Sequence, residues 1–110
     1  MVIAVDFDGV IHQYPRKWTI DKNMYQPIRG ALEAINKLRK KYEIIIFTAR
    51  TNIKKVEKWL KNNNFPNLKI TKIKPKAIIY IDDNAIRFIS WNNTLKQIEN
   101  IWKKHYKKNK

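Results

Sequence analysis

The chain has 110 residues, a length suited to one domain with one hydrophobic core rather than two. Twenty-four Lys and Arg stand against nine Asp and Glu, giving a formal charge of +15 that favours polyanionic partners, while 44% apolar and 12% aromatic residues exclude a disordered composition. There is no cysteine, which rules out disulfides, thiolate metal sites and a thiol nucleophile; with only two histidines, any metal must be held mainly by oxygen.

Taken in chain order, residues 2–7 (Val-Ile-Ala-Val-Asp-Phe) form an apolar, β-branched run that stops at Asp8-Gly9, as expected of a buried strand ending in a turn. Residues 12–27 mix aromatic, proline and charged side chains without a period and read as a loop or short flap. Tyr14, Arg16, Lys17, Trp18 and Tyr25 are its candidate covering residues, and His12 at its start reads as a plain loop histidine. From Ile28, the positions Ile28, Ala31, Leu32, Ile35 and Leu38 recur at helical spacing. Pro27 suits that helix's start, and basic residues fill its last turn near Lys41.

Glu43 to Phe47 is a second buried strand running into Thr48-Ala49-Arg50-Thr51. A second helix follows with Ile53, Val56, Trp59 and Leu60 on one face, ended by Asn62-Asn63-Asn64 and Phe65-Pro66. Leu68 to Ile73 alternates imperfectly, which predicts a short strand near the sheet edge. Ala77 to Ile81 reads as a third buried strand ending at Asp82-Asp83. Asn84 to Ser90 reads as a short helix, and Leu95, Ile98, Ile101 and Trp102 define a C-terminal one. Trp59, Trp91 and Trp102 are expected in core packing of the helices, and the lysine-rich residues 103–110 as a solvated or frayed end.

There is neither repeat nor linker, so residues 1–110 are expected to form a single domain. The apolar runs fall far short of the roughly 20 residues needed to cross a bilayer. No basic region precedes the N-terminal apolar stretch, so it does not read as a signal peptide, and a cytoplasmic protein with no membrane partner is expected.

Strands alternating with helices predict an α/β fold: a mostly parallel, Rossmann-like sheet with helices on both faces, in three layers. Ligands of such sheets lie beyond the carboxyl ends of the strands. There the sequence places Asp6 and Asp8, then Thr48-Ala49-Arg50, then Asp82 and Asp83, so four of the nine acids fall in two tight clusters at one rim. Adjacent like charges are unfavourable unless something positive lies between them, and a bound divalent cation resolves the conflict. In an extended segment Asp6 and Asp8 point the same way while Phe7 enters the core, and Gly9 permits a tight turn. An oxygen-rich pocket of this kind suits Mg²⁺, which keeps one or two carboxylates plus water and substrate phosphate. Alone, each element has a plainer reading: a solvated turn, a helix cap, a strand residue. Their joint occurrence at consecutive strand ends carries the functional one.

These residues also carry a resemblance. Val5-Asp6-Phe7-Asp8-Gly9-Val10 resembles the first motif of the haloacid-dehalogenase-like superfamily, and Ile46-Phe47-Thr48-Ala49-Arg50 its second. Lys74-Pro75-Lys76-Ala77 is similar to the third, and Ile81-Asp82-Asp83-Asn84 to the fourth, in matching order over residues 2–90. The resemblance implies a Mg²⁺-dependent phosphatase acting on a phosphomonoester. In it Asp6 would be the nucleophile, forming an aspartyl-phosphate, and Asp8 the general acid and base. The metal would be held by Asp6, the backbone carbonyl of Asp8 and an acid of the last pair, with Asp83 the favoured direct ligand and Asp82 behind it. Thr48 and the Ala49 N–H would bind phosphoryl oxygens, Arg50 would grip the substrate or phosphate or else form a surface ion pair, and Lys74 (favoured) or Lys76 would neutralise charge beside the metal. The interval between Asp6 and Thr48 is too short to hold a cap domain besides the first helix, so the implied site is open.

The charge favours nucleotides or nucleic-acid ends as the phosphorylated substrate. Two alternatives belong to other classes. A PIN-like metal-dependent nuclease also gathers acids at parallel strand ends, but has less use for Thr48 and Lys74. A non-enzymatic, basic nucleic-acid-binding module would use the lysines on phosphates and leave the clustered acids unexplained.

Overall fold

A computed structural model of the chain describes residues 1–14 and 24–108, with side chains as far as Lys104. Arg16, Lys17 and Trp18, expected to help cover the site, lie outside the described residues. The elements in order are β1 (Val2–Asp6), α1 (Ala31–Leu38), β2 (Glu43–Phe47), α2 (Ile53–Asn62), β3 (Lys69–Thr71), β4 (Ile79–Ile81) and α3 (Trp91–Lys108). No helix among the described residues is long and apolar enough to cross a membrane.

The four strands form one sheet in the order β3-β2-β1-β4, and every pairing is parallel. The chain moves outward from β1 through β2 to β3, then returns to the other side of β1. The order therefore reverses between β1 and β4, and the carboxyl ends flanking such a reversal are where open α/β sheets leave a crevice. The two acid clusters follow those two strands.

Register explains the core. β1 pairs with β2 so that Ile3 lies opposite Ile44 and Val5 opposite Ile46. These four side chains share one face, and all are buried with Phe7 against Ile35 of α1, Val56, Trp59 and Leu60 of α2, and Phe65. Trp59 thus lies in the core as its helical spacing predicts.

Four expectations need correction. First, α1 begins at Ala31 rather than near Pro27. Gly30 stands at its N-cap with φ 85°, and the Ile28 N–H bonds to the Ile11 carbonyl at 2.7 Å, so the preceding residues are drawn toward the β1 turn. Second, Asn84 to Ser90 is not helical; the Asn84 N–H donates to the Asp82 carboxylate at 2.8 Å, closing a local turn where a helix would start. Third, the buried strand expected over 77–81 is only three residues long, and it is an exposed sheet edge: Ile79, Tyr80 and Ile81 all keep substantial exposure. The α1–α2 layer covers β1 and β2 and leaves the β4 isoleucines outside it. Fourth, α3 continues to Lys108, so residues 103–108 are helical, but Trp91 and Trp102 are 68% and 61% exposed rather than packed in a core. Leu95, Ile98 and Ile101 are exposed as well, so α3 does not supply a buried helical layer. The short edge strand expected within 68–73 is found as β3.

Candidate functional site

β1 delivers Asp6 at its last residue, and the chain then turns sharply around the Phe7 carbonyl, which accepts from the N–H groups of Ile11 and His12 at 2.9 Å each. Gly9 makes this turn feasible with φ 85°, in the left-handed region that side chains disfavour. A Cβ at Gly9 would run into the Asp83 carboxylate and come within 2.6 Å of the Tyr14 ring. The glycine is thus the gap that lets the β4 acids close on β1.

Asp6, Asp82 and Asp83 each offer a carboxylate oxygen, and these oxygens lie within 4.8 Å of one another. Asp6 accepts the Phe7 N–H at 2.8 Å, which favours its ionised form. Burial and the neighbouring carboxylates outweigh that bond and push its pKa up to about 6. Three acids sharing one small volume form a donor set that fits a hard divalent ion, since bound positive charge would offset the mutual repulsion that adds to burial in raising Asp6. Tyr14 lies beside this cluster, and partial burial together with the nearby carboxylates raises its hydroxyl pKa.

Asp8 is different. Its carboxylate is buried and turned to other partners: Arg50 Nε donates to Oδ2 at 2.8 Å, Arg50 Nη2 to Oδ1 at 2.9 Å, and His12 Nδ1 lies 2.9 Å from Oδ1. Burial alone would raise its pKa, but the His12 and Arg50 hydrogen bonds and charge hold it below the ordinary range. His12 is fully buried, stacked on Phe7 and edge-on to Trp59. Its Nε2 accepts the Tyr25 N–H at 2.7 Å, which assigns the ring proton to Nδ1 and makes His12 a donor to Asp8. Trp59 Nε1 in turn donates to the Tyr25 carbonyl at 2.8 Å, tying this network to α2.

The register pairs Asp6 with Phe47, so Thr48 stands one residue beyond the acid's own level on the adjacent strand. Thr48 is buried; its N–H donates to the Thr71 carbonyl at 3.0 Å and its hydroxyl accepts the Arg50 N–H at 3.1 Å. Ala49 is exposed beside it. On the other side, a cleft of about 360 Å³ is lined by Asp6, Asp82, Lys74, Tyr80 and Arg87, among others. The Lys74 ammonium lies 4.7 Å from the Tyr80 ring centre. Lys76 is exposed and does not line this cleft.

The site residues expected from sequence therefore divide. Asp6, Asp82 and Lys74 line one cleft, with Asp83 joining the two acids in their cluster; Asp8 and Arg50 are committed to each other, and Thr48 with Ala49 sits at the end of β2. Three contributors were not foreseen: His12 as a buried partner of Asp8, Tyr80, and Arg87. The alternation within Ile79-Tyr80-Ile81 was available as a signal for Tyr80, since it opposes Ala4 and thus shares a face with Asp6. A larger cavity of about 670 Å³ between α2 and β3, lined by Leu60, Phe65, Leu68 and flanking lysines, touches none of these acids. No protein-family model, curated protein or solved structure matches the chain.

Proposed function

We propose that this chain is a Rossmann-like phosphatase of the haloacid-dehalogenase kind, hydrolysing a phosphomonoester with Mg²⁺ bound at Asp6, Asp82 and Asp83. The observation that carries the reading is the convergence of those three carboxylates within 4.8 Å at the strand-order reversal, with Lys74 lining a cleft together with Asp6 and Asp82. When bound, the cation would offset the negative charge of the carboxylates and of the phosphoryl oxygens.

Asp6 acts as the nucleophile. One of its oxygens forms the bond to phosphorus while the ester P–O bond breaks and its electron pair leaves with the substrate oxygen. Asp8, protonated from solvent once the substrate draws Arg50 away, delivers that proton to the leaving oxygen, then takes one from the water that hydrolyses the aspartyl-phosphate. Arg50 holds Asp8 ionised in the substrate-free protein, so its role includes release: as the guanidinium turns to the incoming phosphoryl oxygens, Asp8 loses two donors and gains proton affinity. Lys74 and the backbone N–H of Ala49 add positive potential around the transferring group. A nucleotide or nucleic-acid end is the substrate the charge favours.

Hydrolysis of a generic aryl phosphate with Mg²⁺ tests this reading. The wild type is expected to turn over and Asp6→Asn to lose at least about 100-fold of the rate. Equal rates in the two proteins, or cutting of internal phosphodiesters in place of phosphomonoester hydrolysis, would overturn it, the latter in favour of a nuclease.

A further inference from the structure

Beyond the acid cluster, exposed aromatic rings follow in the chain just after a cation that lines the cleft. Arg87 lines the cleft with Asp6 and Asp82, and the next residue, Phe88, is 58% exposed. Phe88 packs edge-to-face on Trp91 with ring centres 5.3 Å apart, and Trp91 is 68% exposed. Neither ring serves the core, and contiguous exposed aromatic surface marks a binding site. Lys74, Lys76 and Lys96 are exposed as well.

The charge distinguishes the occupant. A second copy would bring +15 against +15. A duplex presents phosphates but keeps its bases stacked on one another, leaving the rings unused. An acidic peptide matches the lysines but lacks the terminal phosphate that the acid–lysine cleft is read as receiving. A single strand of nucleic acid supplies everything: phosphates for Lys74 and Arg87, unstacked bases for Phe88 and Trp91, and a terminal phosphate for the cleft. Resting on the phosphatase reading, we propose that the substrate is the phosphorylated end of a single-stranded nucleic acid, whose adjoining bases stack on the Phe88–Trp91 pair while Lys74 and Arg87 contact its backbone.

Binding is measured by fluorescence anisotropy with an end-phosphorylated, single-stranded oligothymidylate, its ribose counterpart, and an abasic strand of equal length. Wild-type protein is expected to bind the base-bearing strands, with affinity falling steeply as salt rises. Phe88→Ala combined with Trp91→Ala is expected to weaken binding roughly 10- to 100-fold, whereas Trp91→Tyr, which keeps a stacking face, retains most of it. Both positions are exposed, so circular dichroism of the double variant is expected to match the wild type. Arg87→Ala should weaken binding and flatten the salt dependence. Equal affinity for the abasic strand, no effect of removing both rings, or a wild-type dimer in sedimentation that the double variant dissolves would each overturn the assignment. The two readings fail separately: ring-dependent strand binding without aryl phosphate hydrolysis removes the phosphatase and keeps the strand, and hydrolysis without ring-dependent binding does the reverse.

Discussion

Asp6 and Asp8 stand two residues apart in one motif, yet the fold gives them opposite surroundings. Asp6 faces two further carboxylates and has a pKa of about 6, so in the cation-free protein its ionised form is a liability. Asp8 is more buried, but a fork of Arg50 donors and a His12 N–H hold it ionised below the ordinary range. Burial does not decide a carboxylate's role by itself; what faces it does. One acid is left for an external cation to stabilise, and the other is stabilised from within.

This contrast is broken most severely at Arg50. Arg50→Ala leaves the Asp8 carboxylate buried with only His12 beside it, and is expected to cost about 3 kcal/mol in urea denaturation; a loss below ~1 kcal/mol would mean that Asp8 is solvated. Gly9→Ala comes next at about 2 kcal/mol, through positive φ and collision with Asp83 and Tyr14, and is expected also to abolish the rise in melting temperature on adding Mg²⁺. Asp6→Asn has the opposite sign: without cation at pH 7.5 it is expected to stabilise by on the order of 1 kcal/mol, because it removes one of three facing charges.

The same variant sharpens the comparison through pH. Asp6 has a folded pKa raised from 3.8 to about 6, so the folded state binds more protons in that interval and stability falls as pH rises through it. Asp8, held low, adds stability above the ordinary carboxylate value that is lost only as pH falls further. The cation-free wild type is thus expected to lose stability relative to Asp6→Asn between about pH 4 and pH 6, in a series of urea melts; a constant difference would remove the electrostatic account of Asp6. Thr48→Ala is the smallest change, expected to cost about 1 kcal/mol by leaving the Arg50 N–H without its hydroxyl acceptor.

Much of the scaffold was legible in the sequence. The runs Val2–Asp6 and Glu43–Phe47 are apolar and each holds three consecutive buried residues, and Val56, Trp59 and Leu60 recur as a buried helical stripe. The convergence of Asp6 with Asp82 and Asp83 followed from strand alternation and the carboxyl-edge rule. Pairing across distance was not legible: Arg50 meets Asp8 over 42 positions, and nothing local to His12 announces that it is buried against Phe7. The helix expected at 84–90 failed because Asp82 engages the Asn84 N–H in a turn, a competition that composition does not resolve. The aromatic residues Phe88, Trp91 and Trp102 have the composition of core residues, and only the three-dimensional arrangement shows them outside it.

The central claim is that Asp6, and not Asp8, takes the phosphoryl group. It is tested most directly by mixing the protein and Mg²⁺ with an aryl phosphate labelled in its phosphoryl group, quenching in acid during turnover and mapping the label by mass spectrometry of peptides. The account predicts label on Asp6 and none on Asp8; label on any other residue, or turnover with no labelled peptide at all, would contradict it.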